Sequence, residues 1–194
     1  NSASAELDLD CSGGKNFRLQ STNASAFSLI DKDDSNAVRF HVTSAGNVGL
    51  GLDTPGALLT IKGSGDAIRV ESTNTGAGGA QMDLLHFTTS PADDDINGVI
   101  NFGGYTSGTS SSYAAAIKSV WSDVSGKAGK LEFYTRDNTD FSSRMTITKD
   151  GHVGLGGVGS PTHVLEVDGG LKISNANSRL YFGSAGGTDR RALE

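Results

Sequence analysis

Two stretches decide the fold: residues 38–63, VRFHVTSAGNVGLGLDTPGALLTIKG, and residues 144–169, RMTITKDGHVGLGGVGSPTHVLEVDG. They align with one insertion. Gly46 matches Gly151, and Val48-Gly49-Leu50-Gly51 matches Val153-Gly154-Leu155-Gly156. Pro55 matches Pro161 after one inserted residue. Leu59 and Ile61 match Leu165 and Val167, while Arg39 and Phe40 match Arg144 and Met145. Downstream, Ala67-Ile68-Arg69-Val70 resembles Gly170-Leu171-Lys172-Ile173. The chain therefore repeats itself, and the repeat is the first thing to explain.

Each copy reads as strand, turn, short strand, loop and strand. Phe40 and Val42 alternate with Arg39, His41 and Thr43, the period of a half-buried strand. Ser44-Ala45-Gly46-Asn47 and Lys149-Asp150-Gly151 carry turn chemistry. Val48 and Leu50 then share one face, and Gly49 and Gly51 the other. A strand bare on one face lets another backbone approach closely. A loop containing Pro55 or Pro161 leads to a second alternating strand. Such a unit cannot bury its apolar face alone and must stack on a neighbour or pair with other chains.

Outward from the repeats, the reading gives four segments: an N-terminal strand region 1–37, the first Gly-rich unit 38–71, a central β module 72–143, and the second unit with a C-terminal tail 144–194. In the central module, residues 82–87, 97–102 and 130–135 read as strands, with Ile96, Ile100 and Phe102 on one face and Leu131 and Phe133 inward. Residues 73–79 and 105–112 are rich in Gly, Ser, Thr and Asn and read as loops. Residues 113–124 admit two readings. Tyr113, Ile117, Val120, Trp121 and Val124 form a helical stripe, yet Tyr113, Ala115 and Ile117 also alternate. We expect a strand, because strands flank it. The fold class expected is all-β, with little helix.

Composition narrows the class. Glycine makes up 27 of 194 residues, about double the ~7% average. The glycines follow no three-residue period and there are three prolines, which excludes collagen. Only 36% of residues are hydrophobic, thin for one large core. The net charge of −6 gives no footprint for nucleic acid. No apolar run reaches the ~18 residues of a membrane helix, so no membrane insertion is expected. Cys11 is alone; we read it as a buried thiol, with pairing between chains as the alternative. No signal peptide is visible and the chain opens at Asn1, so we expect a fragment or a processed product.

The units AGNVGLGLDTPGALLTIKG and DGHVGLGGVGSPTHVLEVDG resemble the Gly-Val-Gly-Ile-Gly…Pro units of bacteriophage tail fibre and tailspike proteins, which often precede a self-cleaving, endosialidase-type chaperone domain. The middle, DDDINGVINFGG…YAAAIKSVWSD…GKLEFYTRDN…RMTI, resembles a module of predicted marine-phage fibre proteins. Together the likeness covers most of residues 24–174. It implies an elongated homotrimer of intertwined β-structure, located in the virion and working with other fibre or tail proteins. It further implies attachment to a host cell-surface glycan or protein. Similar units in bacterial trimeric adhesins leave a cell-surface adhesin as the alternative, and a polysaccharide-cleaving tailspike as another. The chain ends at Arg190-Arg191-Ala192-Leu193-Glu194 without the chaperone's serine-aspartate motif, so on this resemblance we expect that a C-terminal part was cleaved off, lies beyond this sequence or was never present.

No residue pattern assembles a catalytic site, and we expect neither enzyme activity nor a cofactor. Asp93-Asp94-Asp95 lacks the alternating spacing of a calcium loop and reads as a solvated turn, as does Asp31-Lys32-Asp33-Asp34. His41, His86, His152 and His163 have no zinc-type i, i+4 spacing, so no metal is expected. The glycine runs precede no helix, which removes the amide fan a phosphate needs. Ser110-Ser111-Ser112 has no nucleophile elbow. Glu132 and Asp137 form a candidate carboxylate pair, but alternation puts Glu132 on a solvent face. The best candidates for receptor or glycan contact are Tyr105 and Tyr113, aromatics among adaptable Ser, Gly and Thr. Trp121 reads rather as packing at a contact between chains.

Overall fold

The structure, a computed structural model, describes residues 4–22, 24 and 26–172. Among these residues the protein is all-β, without a helix. One sheet contains β1 (Ser4–Leu9), β2 (Phe17–Thr22), β3 (Phe27–Asp31), β4 (Ala37–Val42), β5 (Val48–Leu50) and β6 (Leu59–Ile61), each beside its sequence neighbour. The other contains β7 (Ile96–Ser107), β8 (Ser110–Asp123), β9 (Ala128–Arg136), β10 (Phe141–Ile147), β11 (Val153–Leu155) and β12 (Leu165–Val167), again in sequence order. The chain divides into two units, Asn1–Met82 and Asp83–Glu194, with one sheet in each.

The two sheets follow one plan. In each, the first five strands are antiparallel and the last pair, β5–β6 or β11–β12, is parallel. Each has a bulge on its fourth strand, at Arg39 between Val38 and Phe40, and at Arg144 between Ser143 and Met145. The Gly-rich units are thus the last three strands of each sheet. The central module's β7, β8 and β9 take the places of β1, β2 and β3. The likeness extends over all six strands.

Glycine makes the shared end possible. Parallel neighbours ordinarily need a crossover of about a dozen residues. Here eight residues join β5 to β6, and nine join β11 to β12. Gly51 and Gly156 turn the chain with φ of +76° and +79°. A Cβ on Gly49 would strike the Leu52 carbonyl, and one on Gly154 the Val158 carbonyl. The backbone approaching the bare face is therefore the chain's own crossover loop. The β4–β5 and β10–β11 turns also match: Gly46 and Gly151 donate to Thr43 and Thr148 at 2.9 and 3.0 Å, with φ of +84° and +77°. That geometry suits a three-residue hairpin loop with glycine in the left-handed position.

Register places one unbroken apolar row across each sheet. In the first it runs Leu7, Leu19, Leu29, Phe40, Leu50, Ile61. In the second it runs Ile100, Ile117, Phe133, Met145, Leu155, Val167. The opposite face carries the polar set. Glu6, Arg18 and Asp8 lie there in the first sheet, and Lys118, Glu132 and Thr146 in the second. Coverage is the reverse of a globular domain. On the polar face Ser28, Glu132 and Thr146 are buried, whereas Leu7 and Ile100 on the apolar face stay 56% and 41% exposed. Among the described residues, the buried apolar side chains are few: Ile30, Ala116, Val120 and Pro161.

Several expectations change. Residues 82–87 form no strand; no neighbouring strand offers a ladder, and Met82, Leu84, Leu85 and Phe87 are exposed. Leu84 instead lies where a side chain on Gly98 would stand. The loop expected at 105–112 is a hairpin: β7 runs to Ser107 and β8 starts at Ser110, with Gly108 at φ +50° in the turn. Residues 113–123 are strand, which settles the ambiguity with the helical stripe. Leu131 and Phe133 do share the apolar face but are only half-buried. Glu132 is buried, not solvated, because Lys130 and Tyr134 close over it. Cys11 is exposed, because it sits in the β1–β2 turn, where its carbonyl accepts from Gly14. Ile173 and the rest of the C-terminal tail lie outside the described residues.

Candidate functional site

Tyr105 and Tyr113 come together at the tip of the second sheet. Tyr113 pairs with Gly103, and Tyr105 lies two residues further along β7, on the diagonal. Diagonal cross-strand side chains are within reach when they are aromatic. Gly103 has no side chain, so the Tyr113 ring lies against its backbone; a Cβ there would come within 3.1 Å of the ring. Both tyrosines are exposed, Tyr105 at 79% and Tyr113 at 55%.

A bulge aims Tyr113. Phe102 pairs with Ala115 and Gly103 with Tyr113, which leaves Ala114 as the extra residue. Strict alternation would put Tyr113 on the apolar face with Ala115 and Ile117. The bulge moves it to the polar face, a known use of bulges beside binding sites. Sequence alternation alone gave no sign of this inversion.

Three residues following the same edge complete the setting. Arg136 ends β9, and Asp137 and Asn138 begin the turn to β10. With Tyr105, Tyr113, Thr106 and Ser112 they line an open hollow of ≈ 360 Å³. Arg136 Nε donates to the Tyr113 carbonyl at 2.8 Å, and its guanidinium lies 5.2 Å from the Phe141 ring centre. The Asp137 carboxylate accepts from the amides of Thr139 and Asp140 at 2.9 and 2.8 Å and pairs with Arg144 at 3.3 Å. Those amides hold its carboxyl below the usual carboxylate range. Asp137 is thus a fixed, charged turn residue. Arg136, Asp137 and Asn138 were not marked as contact residues in the sequence; only the β8–β9 register brings them to the tyrosines.

The other candidates lie elsewhere. Trp121 is half-buried opposite Gly129, its amide and carbonyl bonded to Asp95 and Asp94. Asp95 accepts from the Ala92 amide and caps its own turn, while Asp93 accepts from the Val124 amide and ties that turn to the end of β8. His41 bonds Ser28 and His152 faces the Pro161 carbonyl. Among the described residues no three His, Cys, Asp or Glu side chains cluster as metal ligands would. Gly46, Val48, Gly49, Leu50, Gly51 and Pro55, with Gly151, Val153, Gly154, Leu155, Gly156 and Pro161, belong to the turns, short strands and crossover loops described above. No protein-family model matches the chain, and no curated protein matches it.

Proposed function

We propose that this chain is a structural and receptor-binding segment of a viral tail fibre or appendage, assembled as a homotrimer and attaching to a host-surface glycan or protein. The observation that carries the reading is the open apolar row on each sheet. Leu59 and Leu165, in a second row beside it, are 56% and 53% exposed. A face of this kind needs cover, and exposed apolar area of that continuity is the mark of an interaction surface. Three copies of one chain supply that cover from identical faces. The resemblance of the Gly-rich units to phage fibre repeats favours three over two.

The reading is non-enzymatic. In its favour, Glu132 is held by Lys130 and Tyr134, and Asp137 by backbone amides, so each carboxylate has a structural task. Register puts Tyr105, Tyr113 and Arg136 on the polar face, so these side chains stay accessible when the apolar rows are covered. Multiple hollows per fibre raise avidity for a repeated surface ligand.

Sedimentation equilibrium tests the assembly. The expected mass is about 60 kDa, three times the 20.0 kDa chain. A stable 20.0 kDa monomer at micromolar concentration would sink the proposal.

A further inference from the structure

We propose that the hollow at Tyr105 and Tyr113 recognises a carboxylated sugar, with Arg136 as the group that reads the carboxylate. This deepens the receptor-binding reading above and rests on it.

The argument starts from the arginines. Arg18 pairs with Glu6 and Asp8, Arg39 with Asp31 and Asp34, Arg69 with Glu71, and Arg144 with Asp137. Among the described residues, Arg136 is the arginine without a carboxylate partner. It is also exposed, in a chain of net charge −6. Yet it is not loose. Its Nε is committed to the Tyr113 carbonyl and its plane is supported by Phe141, which leaves the two terminal nitrogens for a ligand. A planar guanidinium fixed in this way matches the two oxygens of a carboxylate.

Asp137 does not quench it. That carboxylate is turned into its own turn and toward Arg144. The remaining wall is sugar-like in its demands. Two phenol rings offer flat apolar faces and hydroxyl groups, Asn138 offers its amide, and the Thr106 hydroxyl, which donates to the Ser110 carbonyl, keeps its oxygen as an acceptor. The volume, ≈ 360 Å³, is at the lower end of ligand clefts, which run from about 300 to 1,000 Å³. An acidic peptide would satisfy Arg136 but would leave the ring faces and hydroxyls with less to do.

The test uses the full chain and two immobilised probes, a uronic-acid oligosaccharide and the same oligosaccharide with its carboxyls reduced. Wild type should bind the acid form at least tenfold more tightly. Arg136→Gln should erase that preference, Arg136→Lys should restore part of it, and Tyr105→Ala should weaken binding to both probes. Equal binding of the two probes by wild type overturns the carboxylate assignment. An undiminished preference in Arg136→Gln overturns the role of Arg136. Equal capture of a glutamate-rich peptide overturns the sugar. Sedimentation of the same samples separates the two proposals: a trimer that ignores both probes refutes the hollow alone, and a monomer refutes the assembly.

Discussion

The amide of Gly51 donates to the carbonyl of Arg39 at 3.1 Å, and in the second sheet the amide of Gly156 donates to the carbonyl of Arg144 at 3.0 Å. Each arginine is the bulged residue of its strand, so its backbone is free to catch the first residue of the crossover loop. Each side chain then reaches back to the preceding hairpin, Arg39 to Asp31 and Arg144 to Thr135 and Asp137. One residue thus fastens the turn before it and the crossover after it. The pairing of the glycine and the arginine explains why both recur in the two repeats.

Gly51→Ala is therefore expected to cost about 2–4 kcal/mol, from a left-handed backbone and a Cβ driven into the Lys62 carbonyl. Gly46→Ala is the control. Its φ is also positive, but a Cβ there meets nothing within 4 Å, so the cost is about 1–2 kcal/mol. Thermal melting at one fixed protein concentration compares them. Equal losses would mean that the close approach at Gly51 carries no weight.

Phe133 lies mid-row on the apolar face and is half-buried in the chain by itself. Truncation to alanine at a half-open site costs about 1 kcal/mol, whereas a Phe→Ala change in a closed core costs about 3–5 kcal/mol. We expect the larger loss, with the melting temperature falling as the protein is diluted. A loss near 1 kcal/mol, independent of concentration, would leave the row without a partner.

How much of this was legible in the sequence depends on what the side chains share. Residues 38–63 and 144–169 announce themselves because both need glycine at turns and close approaches, a demand only one residue type meets. The kinship of β1–β3 with β7–β9 is hidden because Leu7 and Ile100, or Leu29 and Phe133, need only be apolar. Spacing hides it too: 93 residues separate Leu7 from Ile100, and 106 separate Ile61 from Val167. The hairpin at Ser107 and Ser110 was masked by loop-like composition. The hollow was half legible: exposed aromatics in a polar segment marked Tyr105 and Tyr113, but Arg136 reaches them through pairing that no local pattern encodes.

Asp8 makes acid stability a test of the first sheet. Hydrogen bonds from Arg18 and Lys32 hold its carboxyl at about 2, below its ordinary 3.8. A lowered folded-state pKa stabilises the fold above the unfolded value and loses that contribution as pH falls through the folded one. Wild type should therefore lead Asp8→Asn by a constant margin above about pH 4, with the margin closing toward pH 2. The three side chains are partly open to solvent, so salt should shrink it. A margin that persists unchanged at pH 2 would point to packing instead of charge.

Ala114 gives the sharpest test of the site's construction. It is the extra residue of the bulge, and β9 pairing begins only at Ala115. Deleting it removes an unpaired residue and leaves Tyr113 opposite Gly103, on the polar face. Deleting Ala116 is different: it is 3% exposed and paired to both Asn101 and Tyr134, so its loss reverses every side chain toward the tip. The Ala114 deletion should fold, melt within a few degrees of wild type, and keep Tyr105 and Tyr113 open to nitration. The Ala116 deletion should lose more than about 3 kcal/mol or fail to fold. If both deletions behave alike, the bulge does not set the direction of Tyr113.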